Sequence, residues 1–241
     1  MKSLKAPRAR RARAFTLLEI FVILGIIAML LALLVPFVLR LREGGRSTVC
    51  VANMQRIGKA IRTYAAEHDD RLPGPLSVDQ YPVDSAGTPP REGQLLKYIA
   101  TYLNAPAGSS DPATARTTFT FPAWQRAEHT TDSPVFLINN EPVMPVNQPA
   151  WGGDNKPALK FADLAKWTKR TGEREEPVDP AKMWALTEAD QEVAKLMQLK
   201  APWVARMPAK PVHVNLRNGL YFDMHVEQLV LSRAIGQATV D

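Results

Sequence analysis

RARAFTLLEIFVILGIIAMLLALLVPFV, residues 11–38, opens with arginines and then runs apolar apart from one carboxylate, Glu19. From Ile20 to Leu39 stand twenty consecutive uncharged residues. As a helix rising 1.5 Å per residue they cover about 30 Å, the hydrocarbon thickness of a bilayer. A cleaved secretory signal has a shorter apolar core of roughly 7–15 residues and a small-residue cut site. This run is too long for that and ends in VPFVLRLRE. A simple membrane anchor fits better. Six bases precede the span and Arg40, Arg42 and Arg46 follow it, a bias that keeps the N-terminus cytoplasmic and sends the rest of the chain across.

The basic stretch before the span also explains the overall charge. Lys2, Lys5, Arg8, Arg10, Arg11 and Arg13 account for the whole formal charge of +6, leaving 24 basic and 24 acidic side chains in the remainder. No nucleic-acid binding by the body is expected, because its charge balances. One cysteine, Cys50, excludes an intrachain disulfide and leaves no cysteine-based metal site expected. Twenty prolines, many beyond residue 70, point to a loop-rich body of short elements.

An anchor alone does not account for Glu19. A carboxylate in a lipid-facing helix costs about 2.5–3.5 kcal/mol at mid-membrane and less near the interface. No basic residue lies in the span itself. If the chain is cut between Ala14 and Phe15, the new α-amino group is a cation four residues from Glu19. In a bundle of parallel helices the amine of one subunit then pairs with the carboxylate of its neighbour. Such a pair neutralises both groups in a low dielectric and sets the axial register.

With a short basic leader ahead of it, FTLLEIFVILGIIAMLLALLVP resembles the prepilin-type cleavage and methylation segment of type IV pilins and type II secretion pseudopilins. The resemblance implies removal of residues 1–14 by a prepilin peptidase and N-methylation of Phe15. Glu19 takes the place of the family's acidic residue, and Pro36 that of its helix-kinking proline. The family usually has Gly before the cut, where this chain has Ala14. Partners implied are the peptidase/N-methyltransferase, other pilin-like subunits, a pilus or secretion assembly platform and the inner membrane, with the head periplasmic. Pro36 removes one helical hydrogen bond and crowds the turn before it, so a bend is expected there, or simply the membrane exit. Gly44-Gly45 is a second weak point.

Beyond the span, Val49, Asn53, Met54, Ile57, Ile61, Tyr64 and Ala65 fall at helical spacing, with Arg56, Lys59 and Arg62 on the other side. One helix from about Phe15 to His68 is expected, ended by DDRLPGP. CVANMQRIGKA resembles a Cys-x-x-Asn-[Leu/Met]-x-x-Ile-Gly-x-Ala stretch of pilin-like proteins with an H-x9-DG C-terminal domain. Cys50 reads as a feature of that group or as a small buried apolar residue. His68, Asp69 and Asp70 read as a solvated turn rather than calcium ligands, because regular ligand spacing is missing.

QLLKYIATYL (94–103) is predicted to be a short helix, and TTFTFPAW and SPVFLINN strands. FADLAKWTKR and TEADQEVAKLMQL read as amphipathic helices, the second capped by Thr187, with TGEREEPVDP a charged loop between them. The scattered tryptophans read as packing residues. Phe121-Pro122 stands where the similar group often has Cys-Pro.

PVHVNLRNGLYFDMHVEQLVL (211–231) reads as a hairpin. A three-residue loop Arg217-Asn218-Gly219, with Gly219 left-handed, keeps the alternation consistent on both strands and sets His213 across from Asp223. The segment resembles the H-x9-DG signature, with Met224 where Gly is usual. His213 and Asp223 are expected as a structural pair; a metal or acid–base site with His225 is the rival.

The expected fold is α+β: a long N-terminal helix, its first half membrane-spanning, packed on an antiparallel-sheet head with short helices. The segments are a leader 1–14, a membrane and assembly helix 15–39, an amphipathic continuation 40–70 and an extracytoplasmic head 71–241. The expected function is a non-catalytic pilin-like subunit without cofactor or metal. One alternative is an anchored binding module that never polymerises; the other, a metal-dependent hydrolase head using His213, Asp223 and His225.

Overall fold

The computed structural model describes residues 17–81, 92–103, 119–120, 124, 133–153, 156–171, 174–213 and 216–230. The chain divides into two units, Met1–Gly44 and Gly45–Asp241. Helix α1 runs Leu17–Glu67 and contributes to both. Pro36 lies within its bounds, inside the first unit.

The second unit is an α+β head with two antiparallel sheets. Five strands, β1 (Asp79–Gln80), β2 (Phe136–Ile138), β7 (Trp184–Glu188), β8 (Leu216–Tyr221) and β9 (Val226–Val230), line up in the order β1-β2-β7-β8-β9. Four more, β3 (Pro142–Met144), β4 (Gln148–Pro149), β5 (Thr168–Thr171) and β6 (Arg174–Pro177), form a smaller sheet in the order β4-β3-β5-β6. The short helices are α2 (Leu95–Leu103), α3 (Phe161–Leu164) and α4 (Gln191–Leu196), followed by a 3-10 turn at Pro202–Arg206.

Strand alternation gives the larger sheet two buried faces. Phe136, Ile138, Leu186 and Leu220 share a core with Cys50, Met54, Ile57 and Ile61 of α1. Leu137 points the other way and packs with Ala189, Val193 and Met207. The helix approaches closely: a Cβ built on Gly58 would sit 3.0 Å from Leu220 Cδ1 and 3.3 Å from Met224 Cβ. On the outer side of α1, Arg56 and Lys59 are exposed and the Arg62 guanidinium stacks 4.0 Å from the Phe161 ring centre.

The turn after α1 joins the helix to the small elements. Asp70 N–H donates to the Ala65 carbonyl at 2.9 Å, a Schellman-like closure with Asp69 and Asp70 both left-handed (φ 58° and 60°). Asp70 Oδ2 accepts from Ala162 N–H at 2.8 Å, at the start of α3, and Asp69 Oδ2 pairs with Lys160 Nζ at 2.6 Å. The aspartates thus hold a docking turn, and His68 stacks on Tyr64 with ring centres 3.9 Å apart.

Several local expectations change. FADLAKWTKR is helical only over Phe161–Leu164 and then becomes β5; TGEREEPVDP supplies β6, paired Lys169 to Glu176 and Arg170 to Glu175. The register sets basic positions opposite acidic ones in this polar hairpin, a pattern that apolar periodicity does not reveal. Thr187 lies in β7, and the cap of α4 is Asp190, whose Oδ1 accepts from Val193 N–H at 2.8 Å.

The C-terminal hairpin is also differently placed. β8 and β9 pair Leu216 with Val230 through to Leu220 with Val226, so Arg217, Asn218 and Gly219 lie inside the strand. The turn is at 222–225: Tyr221 N–H donates to the His225 carbonyl at 3.0 Å, and Met224 takes the left-handed conformation (φ 73°). Asn218 does not turn the chain because its backbone and side-chain amides both bind a buried carboxylate. Of TTFTFPAW (117–124), Phe121-Pro122 and most neighbours lie outside the described residues.

Candidate functional site

Two regions concentrate functional chemistry. The first is the start of α1. Leu17–Val35 is long and apolar enough to cross a membrane, with mean hydropathy 3.0, and every residue in it is exposed. Phe21 is 65 % exposed and Leu33 70 %, on a run that is apolar on every side. A contiguous apolar surface of that length is not stable in water and needs lipid or apolar protein around it. Glu19 lies in the first helical turn, where a carboxylate also suits the positive end of the helix dipole. Ala14 and Phe15 lie outside the described residues.

The second region is a pair of buried polar groups on opposite faces of the larger sheet. Glu188 stands directly across from Phe136, so it shares the face covered by α1. There its carboxylate meets the His213 imidazole, with Nε2 to Oε1 at 3.3 Å and both side chains almost fully enclosed. Asn218 on β8 holds the same carboxylate: its backbone N–H donates to Oε2 at 3.0 Å and its side-chain amide to Oε1 at 2.8 Å. The Cys50 thiol, on the buried side of α1, completes the group. One donor atom each from Cys50, Glu188 and His213 falls within 4.8 Å of the others.

Arg217, one residue earlier on β8, faces the opposite side. Its Nε and Nη2 each donate to the Asp190 carboxylate at 3.1 Å, with Glu192 3.8 Å away. A bidentate pair this buried satisfies two charges that would be costly alone. It also ties β8 to the capped start of α4.

The expected pairing of His213 with Asp223 is therefore replaced by two separate pairs. His213 meets Glu188 in the core, while Asp223 sits in the hairpin turn with its Oδ1 2.5 Å from His225 Nδ1. The register that opposed His213 to Asp223 needed a turn at 217–219, and the chain turns five residues later. The triad His213, Asp223 and His225 is split between the core and the surface. The sequence alone hides Glu188, because TEAD reads as a helix start while the chain there is the end of β7. An acid closing the apolar run MWAL was the available signal.

Around the hairpin turn, Tyr221 stacks on His225 with ring centres 4.3 Å apart. Burial, reinforced by the negative charge and hydrogen bond of Glu227 and by Asp223, pushes the Tyr221 phenol up to about 12. No family model, curated protein or solved structure matches the chain.

Proposed function

We propose that this chain is a pilin-like structural subunit. On this reading it is made as a precursor, cut between Ala14 and Phe15, methylated on Phe15, and assembled through its apolar helix into a type IV pilus or type II secretion pseudopilus. The observation that carries the reading is the placement of Glu19. An acid opens a helix whose next sixteen residues, to Val35, are uncharged and exposed, behind a basic leader. In an assembly, a neighbour's new N-terminal amine meets that carboxylate, and neighbouring helices cover the apolar surface that lipid covers beforehand. Pro36 serves as the point where the packed helix adjusts.

The chain catalyses nothing in this role; the peptidase/N-methyltransferase and the assembly platform are separate partners. The head stands on the periplasmic side, because positive residues on the leader hold the N-terminus in the cytoplasm. Asn53, Met54, Ile57 and Ile61 support the reading from the other end, since the helix continues as a buried element of the head.

Glu19→Ala tests it. The variant should reach the membrane at normal abundance and be absent from sheared filaments or pseudopili. Incorporation equal to wild type would leave an anchored module that does not polymerise. The mass of the N-terminal peptide should correspond to a chain starting at methylated Phe15; a chain still starting at Met1 in cells with an active peptidase ends the proposal.

A further inference from the structure

The group formed by Cys50, Glu188 and His213 supports a reading of its own. We propose that these three side chains bind a divalent transition metal of the zinc class, which fastens α1 to the five-stranded sheet. The donors are a thiol sulfur, an imidazole nitrogen and a carboxylate oxygen, the mixed set that borderline-soft, tetrahedral metals take. They come from three separate parts of the chain: α1, the end of β7 and the segment leading into β8.

Distances favour coordination over a simple ion pair. A charge-assisted contact between imidazolium and carboxylate closes to about 2.7–2.9 Å. The observed Nε2 to Oε1 separation of 3.3 Å is longer than that and matches the edge of a coordination tetrahedron. Bonds of about 2.0–2.2 Å to nitrogen and oxygen and 2.3 Å to sulfur give edges of roughly 3.3–3.6 Å. With all donors inside 4.8 Å, small side-chain rotations bring them onto three of the four tetrahedral positions.

Charge and support agree with this. A thiolate and a carboxylate together balance a divalent cation, and the imidazole binds neutral. On loading, the Cys50 thiol loses its proton to solvent as the sulfur–metal bond forms, and no electron is transferred. Asn218 is the orienting partner that ligating carboxylates usually have, gripping both Glu188 oxygens from a rigid strand. The His213 backbone is held as well, its carbonyl accepting from Leu216 N–H at 3.0 Å. Cys50, Glu188 and His213 are 1 %, 1 % and 4 % exposed, which leaves no room for a substrate; a metal here is a fastener and not a catalyst.

The test uses the untagged full-length chain, purified in detergent, equilibrated with Zn2+ and dialysed against metal-free buffer. Elemental analysis should find about one zinc per chain. Replacement by Co2+ should give a thiolate-to-cobalt absorption band. Chelation should lower the melting temperature of the head, and adding zinc back should restore it. Cys50→Ser should abolish the cobalt band and the effect of chelator on melting. Asn218→Ala should weaken zinc binding about 10–100-fold while keeping the band. A folded wild-type chain that retains no zinc and melts alike with and without chelator overturns the proposal, leaving a buried Glu188–His213 pair beside a thiol. Zinc retained undiminished by Cys50→Ser overturns it equally. Since none of these readouts involves filaments, failure here leaves the assembly proposal standing, and the reverse.

Discussion

The two ends of α1 use apolar residues in opposite ways. Over Leu17–Val35 apolar side chains occur on every side and all are exposed. Over Cys50–Ala65 they occur on one side and are buried, with Arg56, Lys59 and Arg62 outside. The second pattern is complete within one chain, because the head supplies the covering surface. The first is not, because nothing in the sequence pattern marks a face for this chain to cover. A helix apolar all round carries a requirement for lipid or for further copies.

The sharpest way to break that contrast is a matched pair of truncations. Ile61→Ala removes a fully buried side chain and should destabilise the head by about 2–5 kcal/mol, read as lowered midpoints in thermal or denaturant unfolding followed by near-UV dichroism. Leu24→Ala, on a side chain 54 % exposed, should leave the same transition unmoved. A similar loss for both would mean that the first part of the helix is covered by the head after all.

A smaller effect tests how closely the buried part of α1 lies on the sheet. A side chain at Gly58 meets Leu220 and Met224 almost at once. Gly58→Val should therefore cost about 1–3 kcal/mol through overpacking, although valine is less costly than glycine for the helix itself. Gly25, with open space around its Cβ position, should accept the same change without loss of head stability. A neutral Gly58→Val would show that helix and sheet can separate without penalty, and would weaken the case for a fastener between them.

What the sequence revealed follows the same division. The second part of the long helix and the short helix α2 were legible because periodic apolar residues meet a single buried face. The first part of the long helix was legible by its unbroken apolar length, and strand β2 as a short apolar run buried on both faces. The hairpin β5–β6 was not, since its strands are polar and their register, Lys169 opposite Glu176 and Arg170 opposite Glu175, is known only once they lie side by side. The expected loop Arg217-Asn218-Gly219 lies inside β8 for a related reason. Asn218 is consumed by Glu188 across the sheet, a long-range contact that outweighs the local turn preference. His213 was legible as a residue of interest, yet its partner was not, because Glu188 and Cys50 come from elements 25 and 163 positions away. Local pattern identifies a candidate side chain; only topology says what it meets.

The smallest effect concerns the hairpin turn next to Gly58's contact with Met224. Tyr221 has its phenol pushed up to about 12 from an ordinary value of 10.0, so folding favours the neutral form. The stabilisation is therefore complete below about pH 10, the unfolded value, and is lost as pH climbs from there to about 12. Tyr64, Tyr98 and Tyr102 are raised too, so the wild-type slope belongs to several phenols. Comparison with Tyr221→Phe isolates one of them. The stability difference between the two proteins should be flat at neutral pH and should shrink through the alkaline window, because only the wild type must ionise this phenol on the way. A difference that stays constant from neutral pH to 12 would mean that the turn admits water freely around Tyr221, and that the end of the hairpin against which α1 packs is looser than its buried rings imply.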